Sequence, residues 1–363
     1  LKVWVTGVAG FLGGHLARAM AFDGHEVWGN DNLVGGSLEN LPKEVGFVPT
    51  DCRYQREMRH QFDMVKPEVL FHCAATAHEG LSTFSPAHIC DNVFQASVAT
   101  FSAAIAAGLK RIVFTSSMAR YGKGGNLIIE DPVEYNLWRT PGRTPMIFSP
   151  LSPPFNEAEP AIPVDPYGIS KMAAEQVLKV LCDTHGVQHR IAVPHNIIGV
   201  GQCYTDPFRN VVSIFLNRLK QGKPGIIYGY GTQKRCFSPV QDIIPCLMKL
   251  GTDDKLANGG VWNLGPDNGE ITIAELYAKC CDAVGVHLDP VHAAARPNEV
   301  HAAYCTATKA RAELGFESRV GLEACLAEMA AAIPAGGKPF NYTNHPLEII
   351  TDRMPAVWKE RGM

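Results

Sequence analysis

Thr6-Gly7-Val8-Ala9-Gly10-Phe11-Leu12-Gly13-Gly14 follows a short apolar run, Leu1 to Val5, and leads into Leu16, Ala17, Ala19 and Met20 at helical spacing. A strand, a glycine turn and a helix start put bare backbone N–H groups where a pyrophosphate can sit. Glycines at 7, 10 and 13 alone could be an ordinary tight turn, but with a strand before and a helix after they predict a dinucleotide site. The second strand, His25 to Gly29, runs into Asn30-Asp31-Asn32, with Asp31 18 residues beyond Gly13. An acid there can accept from an adenosine ribose diol and repels a 2′-phosphate, which favours NAD over NADP.

The pattern repeats down the chain. Val45 to Val48 reads as a third strand, Arg53 to Val65 as a helix, and Val69 to Phe71 as a fourth strand ending in His72-Cys73-Ala74-Ala75. Small residues at that strand end leave room for a cofactor. Pro86 to Gly108 reads as one alanine-rich helix with Asn92 near its start, and Arg111 to Phe114 as a fifth strand running into Thr115-Ser116-Ser117. Short apolar strands alternating with helices imply a parallel sheet covered on both faces, with ligands at the carboxyl ends of the strands. The expected fold is a doubly wound (Rossmann) α/β sheet with a smaller mixed α/β lobe.

A second stretch, Pro166-Tyr167-Gly168-Ile169-Ser170-Lys171, opens another helix. Tyr167 and Lys171 share a face, one turn apart. A free phenol has a pKa of about 10 and is a poor base, and a fixed ammonium nearby would lower it into a useful range. Such a pair suits moving a proton on and off a sugar or alcohol hydroxyl. Taken alone, the pair also fits a half-buried tyrosine beside a solvated lysine.

Composition sets outer limits. The 363 residues, 46% hydrophobic and 19% charged, are ample for a large core. A net charge of −3 implies no general attraction to nucleic acid. No apolar run approaches the roughly 20 residues that span a bilayer, so no membrane partner is expected. Eleven cysteines show no C-x-x-C pairing; free thiols, no metal and a cytoplasmic setting are the reading. The chain starts at Leu1 without methionine, which leaves room for a trimmed leader.

Together, Thr6-Gly7-x-x-Gly10-x-x-Gly13, Asp31-Asn32, Asp51-Cys52, Thr115-Ser116-Ser117 and Tyr167-x-x-x-Lys171 resemble the extended short-chain dehydrogenase/reductase superfamily, and within it the nucleotide-sugar epimerase branch. The resemblance runs from Leu1 to about Phe316. It implies a catalytic set of Ser117, Tyr167 and Lys171. It implies NAD held by Gly7, Gly10, Phe11, Leu12, Gly13, Asp31, Asn32, Asp51, Cys52, Cys73, Ala74, Ala75, Asn92, Thr115, Tyr167 and Lys171. It implies a nucleotide-sugar substrate, UDP-linked by preference, whose diphosphate meets Asn196 in Pro194-His195-Asn196, Arg235 in Tyr228-Gly229-Tyr230-Gly231-Thr232-Gln233-Lys234-Arg235, and Arg296 in Arg296-Pro297-Asn298-Glu299. Asn210 and Ser117 complete the substrate set. Planar guanidinium groups can hold phosphate oxygens bidentately, which suits both arginines to that role.

Within this resemblance the residues after the serine separate the chemistries. Relatives that eliminate water or decarboxylate carry acids there, and other epimerases carry a cysteine. Met118 and Ala119 cannot exchange protons, which leaves hydride chemistry and points to 4-epimerisation through a transient 4-keto sugar. A net dehydrogenase or reductase, another nucleotide-sugar enzyme such as a decarboxylase or dehydratase, and a non-catalytic nucleotide sensor are the alternatives. The family also implies a homodimer through the helices at 86–108 and 166–186.

The expected organisation is a cofactor domain, 1–195 with 237–264 returning to it, and a discontinuous substrate lobe, 196–236 and 265–363. An inserted loop, 123–149, separates Ser117 from Tyr167. His78 and Glu79 read as a solvated loop that could reach a sugar, His195 as a packed core histidine, and Val320 to Ile333 as a closing helix. The tail from Pro334 carries no signature.

Overall fold

The computed structural model describes residues 1–122 and 153–359; the inserted loop lies outside the described residues. Seven parallel strands form the main sheet: β1 Lys2–Thr6, β2 Glu26–Asn30, β3 Gly46–Val48, β4 Val69–His72, β5 Arg111–Thr115, β6 Gln188–Pro194 and β7 Val261–Leu264. Their order across the sheet is β7-β6-β5-β4-β1-β2-β3. Winding reverses between β1 and β4, which opens a crevice above their carboxyl ends. The inner strands are buried on both faces, as their unbroken apolar runs require.

Helices cover both faces. α1 Phe11–Phe22 and α6 Val240–Thr252 lie on one side, where Val3, Val5, Leu16, Met20, Leu247 and Trp262 share a core. α2 Gln55–Val65, α3 Pro86–Ala106 and α4 Pro166–His185 lie on the other, over Trp4, Phe62, Leu70, Phe101, Phe114 and Leu178. α3 is 21 residues long and apolar enough to cross a membrane by length and composition, contrary to the sequence expectation. Half of it is buried against the sheet and its neighbours, so its apolar residues are core residues.

Asp165 caps α4 by accepting from the Gly168 N–H at 2.9 Å, and Pro166 occupies the first turn, where its missing N–H costs nothing. α3 carries a π-helical turn at Asp91–Gln95, which includes Asn92.

The smaller layer contains α5 Val211–Lys220, α7 Ile273–Val284 and α8 Leu322–Ala332, packed around Phe215, Leu219, Ile227, Tyr277, Leu326 and Met329. α7 opens with a capping box, Thr272 and Glu275, and stops at Gly285, whose φ of 72° a side chain would strain. Ala307, Ala310, Leu314 and Phe316, expected in the lobe, pack against the main sheet's core beside Trp262. The tail beyond α8 does not trail away. It crosses the mouth of the crevice, and its last described residues form a short helical turn, Ala356–Lys359.

Candidate active site

One cleft of about 500 Å³ lies over the carboxyl ends of the sheet. Every residue the sequence singled out for cofactor, substrate or chemistry lines it, from Gly7 to Arg296.

At its floor the glycine turn is built by close approach. Gly7 has φ 69°, and a Cβ there would stand 2.9 Å from Ala74 Cα. A Cβ on Gly13 would stand 2.1 Å from the Gly7 carbonyl oxygen. Asp31 is buried and accepts from the Ala9 N–H at 3.1 Å and the Leu33 N–H at 2.8 Å, with the Gly10 and Asn32 amides also turned toward it. Burial raises its pKa against those bonds. Next to it Asn32 donates to Asp51 at 2.8 Å, and Asp51 is clamped by Arg53 at 2.9 Å.

Beneath β1 and β4 runs a buried chain. Thr6 Oγ1 accepts from the Cys73 N–H at 3.1 Å and the Ala74 N–H at 3.2 Å. With both acceptor sites filled, its proton goes to His72 Nδ1, 2.8 Å away. His72 therefore carries its proton on Nε2 and donates to Ser97 Oγ at 3.0 Å, which donates to the Val93 carbonyl in the π-helical turn. Burial holds the His72 pKa down at about 3.

Ser117, Tyr167 and Lys171 meet where α4 passes the end of β5. Ser117 and Tyr167 line the same part of the cleft, and the Ser117 side chain acts to lower the Tyr167 pKa. Lys171 is buried, lies 4.9 Å from the Phe114 ring centroid, and donates to the Thr115 carbonyl at 2.7 Å. Burial lowers its pKa to about 8.

The expected depression of the Tyr167 pKa by Lys171 is not what this geometry gives. Burial pushes the phenol up, the Ser117 side chain opposes it, and the Glu79 and Asp165 carboxylates push it further. The ammonium is drawn to a backbone carbonyl instead. Asp165, also raised by burial and then by Glu79, sits at about 7.

One positioning device was missed in the sequence. Glu175, one turn beyond Lys171 and fully buried, accepts from Ser116 Oγ and lies 3.2 Å from Arg120 Nη2. It ties α4 to the serine loop from beneath.

On the lobe side, Arg235 lines the cleft and spends part of its fork on the Lys234 and Val300 carbonyls, at 2.8 and 2.7 Å. Arg296 is paired to Glu299 at 2.8 Å and stacks 5.0 Å from the Tyr228 ring centroid. Asn196 donates to the Cys236 carbonyl at 2.9 Å, and Asn210 caps α5. His195 is a buried core histidine, as expected, bonded to the Pro266 carbonyl at 2.8 Å.

His78 is buried rather than solvated, and Glu79 stays exposed on the cleft wall. His78 Nε2 and Asp206 Oδ2 are 2.7 Å apart, and His345 and Arg209 flank the same carboxylate at 3.4 and 3.3 Å. Burial alone would raise the Asp206 pKa, but these neighbours hold it far below the usual range. His78, Asp206 and His345 place their ligand atoms within 4.8 Å of one another, close enough to hold a metal ion. Metal-bound histidines donate their second ring N–H to a partner. Here both Nδ1 atoms are buried without one, and a guanidinium already faces the carboxylate. The cluster is a clasp in which His78 and His345 close on Asp206 and Arg209 supplies its ion pair.

A doubly wound sheet, a glycine turn, and a Ser-Tyr-Lys set under two arginines define the class. The chain belongs to the NAD dependent epimerase/dehydratase family, whose model matches residues 3–265. It is 28% identical to a UDP-glucose 4-epimerase of Mycolicibacterium smegmatis, over 89% of this chain and 95% of that protein. It is 26% identical to a putative UDP-glucose 4-epimerase of Methanocaldococcus jannaschii, over 88% and 94%. Among solved structures it resembles UDP-glucose 4-epimerase from Thermotoga maritima with UDP-glucose, at TM-score 0.78 and 26% identity over 92% of this chain and 98% of that one. The Thermus thermophilus UDP-glucose 4-epimerase complex with NAD matches at TM-score 0.76 and 25% identity, over 92% and 98%.

Proposed function

We propose that this protein is an NAD-dependent 4-epimerase of a nucleotide-diphosphate sugar, of the UDP-glucose/UDP-galactose type. The observation that carries the reading is the convergence of Ser117, Tyr167 and buried Lys171 in one cleft with the glycine turn, Arg235 and Arg296.

NAD would rest its pyrophosphate on Gly7, Gly10 and Gly13, with Phe11 and Leu12 in the same turn. Its adenosine ribose would meet Asp31 and Asn32, with Asp51, Cys52, Cys73, Ala74, Ala75, Asn92 and Thr115 as walls. When bound, it supplies the acceptor that takes the sugar C4 hydride and returns it.

The chain's residues do the rest. Tyr167 takes the proton of the 4-hydroxyl through Ser117 and gives it back on either face of the ring. Lys171 supplies positive charge below the site. Arg235, Arg296, Asn196 and Asn210 hold the diphosphate, so the keto sugar can turn over without leaving. The proton must move onto a phenol whose resting pKa is high, so the charge that makes it a base has to come from the loaded site.

The cofactor domain (1–195 with 237–264), the substrate lobe (196–236 and 265–363), a cytoplasmic setting and a homodimer through α3 and α4 belong to the same proposal. Ile169 and Val180 on α4 are exposed apolar side chains that such a contact would cover.

One observation favours a second reading. Glu79 supplies a carboxylate on the cleft wall that influences Tyr167, and eliminating water needs such an extra acid–base group.

The test is proton NMR of the purified protein with UDP-glucose, UDP-galactose, their N-acetyl forms, UDP-glucuronate and UDP-xylose, alongside absorbance at the NADH band. Inversion at C4 with no lasting NADH is the expected result. Net NADH, loss of water, or no conversion of any UDP-sugar would overturn it.

A further inference from the structure

The segment 338–359 crosses the cleft and fastens to both of its banks. On the lobe bank, the Lys338 N–H donates to Asn217 Oδ1 at 2.9 Å, and the Asn341 N–H to the Thr205 carbonyl at 2.8 Å. His345 then enters the clasp around Asp206, 4.9 Å from the His78 ring. On the sheet bank, the Glu348 and Ile349 N–H groups donate to the Phe84 carbonyl at 2.9 and 3.0 Å. The Glu348 carboxylate accepts from the Ala87 and His88 N–H groups at 2.8 Å each. Those are free N–H groups of the first turn of α3, where a negative charge is also favoured by the helix dipole.

The chain then returns to the lobe. Trp358 is buried against Leu81, Phe84, Phe208 and Met354, and its indole N–H donates to the Tyr228 hydroxyl at 2.7 Å. The other side of this contact is chemically pointed. The Arg296 guanidinium lies over that same Tyr228 ring. A Cβ built on Gly80 would meet Arg296 Nη1 at 2.7 Å and Trp358 Cη2 at 3.6 Å, so the three groups share one wall. Tyr342, Asn344, His345 and Trp358 all face the cleft.

We propose that this tail is a working wall of the substrate site, and that Trp358 is a positioning residue for Arg296 acting through Tyr228. The inference rests on the nucleotide-sugar reading of the cleft. The indole fixes the Tyr228 ring, the ring sets the plane of the guanidinium, and the guanidinium meets the diphosphate. The strap also bars the exit while the sugar is oxidised. In that interval the C4 hydride is on NAD and the hydroxyl proton on the tyrosine. A keto sugar that escapes leaves one NADH behind for each molecule lost.

The experiment uses the full chain loaded with NAD, with Trp358→Phe and Trp358→Ala compared to wild type. Three quantities are read: KM and kcat for UDP-glucose, Kd for UDP by calorimetry, and NADH absorbance during turnover. Trp358→Phe keeps the packing and loses one hydrogen bond, so KM and the UDP Kd rise about five-fold with kcat nearly unchanged. Trp358→Ala opens the wall, raises both constants by more than about ten-fold, and accumulates NADH with keto sugar.

Folded variants with wild-type KM and UDP affinity overturn the proposal. Should Trp358→Ala fail to fold, Trp358→Phe decides alone. Should wild type bind UDP yet convert no UDP-sugar, the epimerase reading fails, and the UDP affinities of wild type and Trp358→Phe still judge the strap. No UDP binding by wild type overturns both.

Discussion

Tyr167 and Ser117 come from elements 50 residues apart in sequence, yet they line one cleft. On the proposed function the phenol carries the proton, so Tyr167→Phe should lower turnover by at least about a hundred-fold. NAD content and thermal midpoint should stay near wild type, because the ring still fills its place. Equal turnover in the two proteins would remove Tyr167 from the chemistry. These residues were legible because their chemistry is written in their types and spacing. Glu175 was not: a glutamate one turn past a lysine is an ordinary helix-surface pattern, and only the packing reveals that it is buried with Arg120 and Ser116. His78 was misjudged for the same reason. Its burial comes from Asp206 and His345, which lie 128 and 267 positions away.

At the scale of elements, the strand, turn and helix around Gly7 to Gly14 could be read because glycine spacing reports a backbone need directly. Gly13→Ala tests it. Alanine is the better helix former by about 1 kcal/mol, but its Cβ would press on the Gly7 carbonyl oxygen. The protein should lose bound NAD while keeping its far-UV helix signal, and an alanine variant with full NAD content would show that the turn tolerates a side chain. The parallel sheet and the helices on both faces followed from apolar strands alternating with helices, whereas the strand order came only from the structure. The tail did not, because its contacts go to Thr205, Phe84, Ala87 and Tyr228, all far away in sequence and none with a periodicity to announce them. The apolar length of α3 was underestimated, and its half-buried placement fits a core helix because burial in a sheet layer and burial in lipid select the same residues.

For the molecule as a whole, buried histidines set the acid limit. Burial lowers His195 and His345 to about 4 each, while in the unfolded chain they titrate near 6.5. The unfolded state therefore binds more protons between pH 6.5 and 4, and stability is lost as pH falls through that window. Each pKa unit corresponds to about 1.4 kcal/mol, so the loss amounts to several kcal/mol. A thermal midpoint that falls steeply from pH 6.5 to pH 4 is expected, and a flat profile there would show that these histidines are solvated. Depression of the Asp206 pKa adds a further loss below the ordinary carboxylate range. The chain from Thr6 through His72 and Ser97 has a different consequence. Each hydroxyl has one proton to give and the backbone fixes where the sequence of donations begins and ends, so the wire conducts no signal: it has a single polarity. A second proton on His72 would have to displace the one that Thr6 points at it. The floor beneath the cofactor turn is thus deaf to acidity across the neutral range, and a pH response near neutrality falls instead to buried Lys171 and Asp165.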